Sequence, residues 1–212
     1  MECAICRTRR PRRFCPGVKG DICSICCGTE REVTVGCPLD CEYLREARRH
    51  EKSAPVDPKQ IPNLDIRFSE EFLGEHEALV ATLAGAVASA AFGAPGAVDT
   101  DAREALQALI KTYRTLEAGI YYESRPENRL AAAIFEAARD GVNKFRSEER
   151  EDGGMARTRD SDVLKTLVFL ERIELDRNNG RPRGRAFLDS LRYLYSGGDG
   201  PEPAASGSLI LP

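Results

Sequence analysis

Eight cysteines offer the most legible chemistry in this chain, and all of them lie between Cys3 and Cys41. They are spaced as C-x2-C at Cys3 and Cys6, a lone Cys15, C-x2-C-C at Cys23, Cys26 and Cys27, and C-x3-C at Cys37 and Cys41. A C-x2-C turn lets two thiolates converge on one tetrahedral ion while backbone N–H groups stabilise the sulfurs, and two such knuckles close a four-thiolate site. Cys3, Cys6, Cys23 and Cys26 make one such set, and Cys15, Cys27, Cys37 and Cys41 remain for a second. Neighbouring residues in extended chain point to opposite sides, so Cys26 and Cys27 are expected to serve different ions. The expected cofactor is two Zn2+ ions. Sulfur fills both coordination shells, so neither ion keeps the open position that a catalytic zinc needs. Disulfides and an iron–sulfur cluster are the competing uses of eight cysteines. The paired knuckles, with no secretory leader ahead of them, favour zinc in a reducing, cytoplasmic setting.

The elements around these ligands are short. Residues 31 to 35 (REVTV) alternate like a strand between Gly28 and Gly36, and Pro38 and Asp40 open a helix through Leu44 and Arg48. That helix is expected to carry Cys41 in its first turn, where the helix dipole favours a thiolate. A segment of about fifty residues buries too little to fold alone, which makes ion binding and folding one event.

The run from Cys3 to Cys26 resembles the B-box zinc finger, a cross-brace module in which ligand pairs one and three share one zinc and pairs two and four the other. Three departures stand out. Val18 occupies a usual ligand position, Cys37 and Cys41 stand where histidines are usual, and Cys27 is additional, available for the ligand missing at Val18. The resemblance implies the cross-brace topology and does not bring ubiquitin-system functions with it. FCP at 14 to 16, ICSICCGT at 22 to 29, CPLDCEYL at 37 to 44 and a helical region containing TYRTLEAGIYYESRP also resemble a group of uncharacterised bacterial proteins, a similarity that spans most of the chain and implies no activity.

Beyond the cysteines the chain changes character. Its 212 residues, 42% hydrophobic and 31% charged with a net charge of −3, have a globular balance that excludes disordered and collagenous classes. Residues 1–52 are expected to be the zinc module, 53–68 a proline-containing linker, 69–196 an all-α domain of four or five helices, and 197–212 a tail with an apolar tip at Leu209 to Leu211. The fold class is therefore mostly α, with a small β-containing front module. Apolar stripes at helical spacing support it: Phe72, Leu79, Leu83, Val87; Leu106, Leu109, Tyr113, Leu116, Ile120; Leu130, Ile134, Ala138, Phe145; Leu164, Leu167, Leu170; and Phe187, Leu191, Leu194. Pro126 and Pro182 are expected in first helical turns, and Gly180 and Gly197 at helix ends. Residues 149–160, charged and holding Gly153-Gly154, read as a mobile connection. Leu79 to Val98 is uncharged but rich in Ala and Gly and broken by Pro95, so it reads as a buried helix rather than a membrane span.

Two arginine runs invite a second reading. Arg7, Arg9, Arg10, Arg12 and Arg13 fall within seven residues, and Arg177, Arg181, Arg183 and Arg185 surround Asn178-Asn179-Gly180. Both are candidate nucleic-acid contacts. The first run also has a local use, because eleven Lys/Arg oppose eight Asp/Glu and eight thiolates in residues 1–52, and two divalent ions then bring that segment close to neutral. Nucleotide-binding loops, nucleophile elbows and H-E-x-x-H are all missing, and the only histidines are His50 and His76. The Ile120 to Pro126 corner is expected to be a packed helix–helix turn with Arg125 on terminal carbonyls. The expected function is a non-catalytic adaptor that captures a protein partner. A nucleic-acid-associated protein is the alternative, and a ligase-type scaffold, resting on fold analogy, is third.

Overall fold

The structure is a computed structural model and describes residues 2–51 and 56–196. The front module holds β1 (Arg13–Cys15), β2 (Gly20–Ile22), α1 (Ser24–Glu30) and α2 (Glu42–His50); behind it come α3 (Glu70–Glu75), α4 (Glu77–Gly93), α5 (Asp99–Glu117), α6 (Arg129–Gly153), α7 (Asp160–Arg177) and α8 (Ala186–Ser196). The chain is thus mostly α, with one two-stranded antiparallel sheet in which Arg13 faces Ile22 and Cys15 faces Gly20. The tail, with Gly197 and the apolar tip, lies outside the described residues.

Helices α4 to α7 pack in pairs, α4 on α6, α5 on α6 and α7, and α8 closes one side against α4, α7 and α5. Leu83, Leu106, Leu109, Ile134, Phe135, Leu167 and Phe187 are fully enclosed between them. α4 is apolar around most of its surface because it is a buried element, and none of the described helices is long and apolar enough to cross a membrane. Small residues set its distance to α6. A Cβ added at Gly141 would meet the Ala86 methyl at 3.4 Å, already van der Waals contact, so side chains bulkier than alanine have no room there without moving the helices.

Several local expectations are corrected. The Phe72 to Val87 stripe is two helices: the backbone leaves helical geometry at His76, whose ring bonds the Phe72 carbonyl at 2.9 Å and stacks on the Phe72 ring. Pro126 and Pro182 precede their helices instead of opening them. Asn128 caps α6 through its side chain on the Leu130 N–H, and buried Asp99 accepts from the Phe187 and Leu188 N–H groups at the start of α8. Helical structure continues to Gly153, so the connection to α7 shrinks to residues 154–159, starting at Gly154 with φ +80°.

The proline-containing segment is strapped across the helices. Arg172 of α7, 1% exposed, donates to the carbonyls of Asn63 at 2.8 Å and Ile66 at 3.0 Å and lies over the Phe68 ring. A buried guanidinium needs acceptors, and an irregular segment has carbonyls to spare. The corner is also rebuilt. Residues 120–126 run without regular structure, anchored by the Thr115 hydroxyl on the Tyr122 carbonyl and the Ser124 N–H on the Thr112 hydroxyl, and Arg125 pairs with Glu123 and Glu136 rather than with helix carbonyls. Ile120 leaves the helical stripe and is 61% exposed.

Candidate metal centre

Site one is assembled beside the small sheet, from the chain that enters β1 and the chain that leaves β2. After Cys3 the chain folds into a knuckle through Arg7, whose N–H donates to the Cys3 carbonyl at 2.9 Å and whose φ of +54° gives the turn its reversal. The Cys3 N–H returns to the Arg9 carbonyl, and the Ala4 N–H reaches the Asp21 carbonyl, which ties this knuckle to β2. Ile22, 1% exposed, ends β2 under the site. Cys23 then caps α1, accepting from the Cys26 N–H at 3.4 Å, while its own N–H donates to the Cys3 sulfur at 3.2 Å.

The sulfurs of Cys3, Cys6, Cys23 and Cys26 lie within 4.8 Å of one another, with Cys3, Cys23 and Cys26 buried and Cys6 half-buried. A tetrahedral ion with metal–sulfur bonds near 2.3 Å holds its sulfurs about 3.8 Å apart, so a small contraction seats one metal ion on this quartet. The electrostatics call for a cation. The Thr8 hydroxyl and the Thr8 and Arg9 N–H groups pull Cys6 down to about 5, whereas burial and the three neighbouring sulfurs push Cys26 up to about 12. Four adjacent sulfurs cannot all ionise unaided, and a divalent ion removes that conflict by taking each as a thiolate. Arg9 adds positive charge beside Cys23 and Cys6. Each of the eight cysteines is free rather than in a disulfide.

Cys26 and Cys27 do diverge, but for a different reason from the extended chain expected. Both lie on α1, where successive side chains turn by about 100°. Cys26 enters the quartet, and Cys27 points to a pocket also lined by Cys15, Cys37 and Cys41, together with Tyr43 and Leu44. This second set shares a pocket and is not drawn into the spacing of the first. Arg13 and Arg31 direct guanidinium N–H groups at the Cys27 sulfur from 3.9 and 3.8 Å, and Arg13 also covers the Tyr43 ring. Burial raises Cys37, opposed by the Glu32 backbone N–H and reinforced by the negative charge of Glu32, Cys15 and Cys41. Cys41 is the residue before α2 rather than within its first turn. Residues 31–35 form a tight loop with one Arg31–Val35 bridge in place of a strand, because the Val33, Thr34 and Val35 N–H groups all converge on the Glu30 carbonyl. His50 is exposed and bonds Glu46 on its own helix.

Sequence reasoning missed the residue that joins this module to the helices. Glu32, 1% exposed with φ +53°, accepts from Arg48 at 2.7 Å, from the Asn179 side chain at 2.9 Å and from the Arg185 N–H at 3.1 Å, and its carbonyl accepts from the Arg183 N–H. Arg48 also bonds Asp189 on α8. The second arginine run is largely engaged at this joint: Arg181 bonds the Arg31 carbonyl and Glu51, and Arg185 is half-buried, leaving Arg183 exposed. In the first run Arg7, Arg9, Arg10 and Arg12 are exposed and Arg13 is half-buried.

Compared with known protein families, curated proteins and solved structures, the chain matches none.

Proposed function

We propose that residues 2–51 are a two-zinc module, with one ion on Cys3, Cys6, Cys23 and Cys26 and the other on Cys15, Cys27, Cys37 and Cys41, and that the protein works as a non-catalytic adaptor whose module captures a protein partner. Zinc suits all-sulfur sets with C-x2-C spacing, and a closed S4 shell leaves no position for substrate. The ions' role is architectural. They pin loops that have few apolar contacts of their own, so that the surface between the knuckles keeps one shape.

One observation carries the adaptor reading. In a module with so little apolar material, Phe14 is 60% exposed, Ile25 53% and Val33 38%. Large apolar side chains spent on the surface of a core-poor segment suit a protein contact. The test is affinity capture with quantitative mass spectrometry, comparing the intact chain with F14S and I25S. Loss of one shared co-purifying protein at unchanged metal content is expected, and identical capture by all three sinks the reading. The exposed Arg7, Arg9, Arg10 and Arg12 favour nucleic acid as a second reading. It predicts binding that weakens steeply with added salt and disappears when these arginines become Glu.

A further inference from the structure

We propose that the second cysteine set is a regulatory metal site whose ion locks the front module onto the helical domain through Glu32; this rests on the two-ion reading above. The argument starts from where the joint is anchored. Glu32 sits in the loop that leaves α1 one turn after Cys27 and returns at Cys37, and Arg48, its ionic partner, lies on the helix that begins directly after Cys41. Three of the four cysteines of this set therefore hold the two charged groups that meet at the joint. The loop between them is held tightly. Gly17, next to Cys15 and Pro16 in the β1–β2 turn, would place an added Cβ 2.7 Å from the Gly36 carbonyl, so the Cys15 turn and the Cys37 end of the loop are already in contact. Arg31 links sulfur to joint most directly: its guanidinium addresses Cys27, and its carbonyl accepts from Arg181.

Glu32 adopts a left-handed backbone conformation that a non-glycine residue resists, and its carboxylate is buried. Both costs are met only while the surrounding loop is fixed. An ion drawing Cys27 and Cys37 together fixes it. Without the ion the loop keeps its Glu30 carbonyl turn, the Glu32 N–H on the Val35 carbonyl and the Thr34 hydroxyl on the Glu30 carboxylate, bonds internal to residues 30–35 that do not hold it against the helical domain, and the strained, buried glutamate is the first group to leave. Its departure leaves Arg48 with Asp189 alone and exposes the Arg183 and Arg185 N–H groups. Coupling of this kind is reciprocal, so weakening the joint from the helical side must also weaken the ion.

The reciprocity supplies a test with one arm, N179A, that leaves the ligands untouched and one, C37S, that removes a ligand. The full chain is titrated with Co2+ alone, reading thiolate-to-cobalt charge transfer and ion stoichiometry, for the parent protein, N179A and C37S. Hydrogen exchange at the Arg183 and Arg185 amides is followed alongside. In the parent, two ions bind. N179A removes a hydrogen bond to a buried carboxylate, so it should lower the affinity of one of the two ions by about tenfold or more and leave the other unchanged. C37S should keep one ion and lose at least about tenfold of the protection at both amides. Two ions in the parent with unchanged affinity in N179A and undiminished protection in C37S would overturn the lock while the two-ion reading stands. Fewer than two ions in the parent overturns both.

Discussion

Removing the ion from the Cys3, Cys6, Cys23 and Cys26 quartet should unfold the front module and leave the helical domain standing. In residues 2–51 the fully or nearly buried apolar side chains other than cysteine are Ile22, Leu39 and Leu44. At about 1.5–3 kcal/mol each, these contribute roughly 5–9 kcal/mol. A structural zinc site contributes about 10–16 kcal/mol of apparent folding free energy at neutral pH, so the ion outweighs the apolar core of the module. The helices differ, since their interior is continuous from Leu83 through Leu109, Phe135 and Leu167 to Phe187. Segment-resolved hydrogen exchange distinguishes the two parts. On chelation, protection at Ala4, Arg12 and Cys23, whose N–H groups bond across the module, should fall about a thousandfold or more. Amides inside α5 and α7 should change little. Unaltered protection at those three amides in protein holding less than about one-tenth of an ion per chain would refute the reasoning, because the fold would then stand on contacts too few to hold it.

Three further outcomes follow from single residues. Burial raises Asp99 to about 6, above its ordinary value near 3.8, so the folded state holds the proton more tightly and stability should fall as pH rises from about 4 to about 6, by up to roughly 3 kcal/mol. Denaturant midpoints across that range should show this slope in the parent and a flatter one in D99N; equal slopes would remove Asp99 as the cause. R172M strips the Asn63 and Ile66 carbonyls of their donor and should cost about 3 kcal/mol, with new protease cleavage between residues 56 and 66. G17A forces a methyl against the Gly36 carbonyl and should cost about 1–3 kcal/mol, read by thermal unfolding of the metal-loaded protein.

The helical domain was legible because an amphipathic period is a local property: Leu164, Leu167 and Leu170 mark the buried face of α7 wherever that helix is placed. Helix limits were less so. Pro126 fits a first turn by propensity, but the Thr112 and Thr115 hydroxyls hold residues 120–126 out of a helix, and those partners come from the preceding helix. The same holds at His76, where a ring bonding back to Phe72 divides one apolar stripe into two helices. Cys26 and Cys27 were assigned to separate environments on the wrong local geometry, and the helix that carries them separates them all the same.

Spacing by itself determined the first quartet, because a C-x2-C knuckle brings two sulfurs together within a few residues and leaves only the pairing of knuckles to the fold. Apolar periodicity likewise determined that the described residues between 69 and 196 are mostly helical. Only the tertiary structure decided what Glu32, Arg181 and Arg185 do. By composition they are surface charges, and apart from Arg48 and Glu51 the partners that join them lie about 150 residues away in the chain, so no local pattern could announce that a glutamate beside the cysteines would be buried against the start of the last helix. Burying a carboxylate requires donors from several directions at once, and only the packed chain brings those directions together.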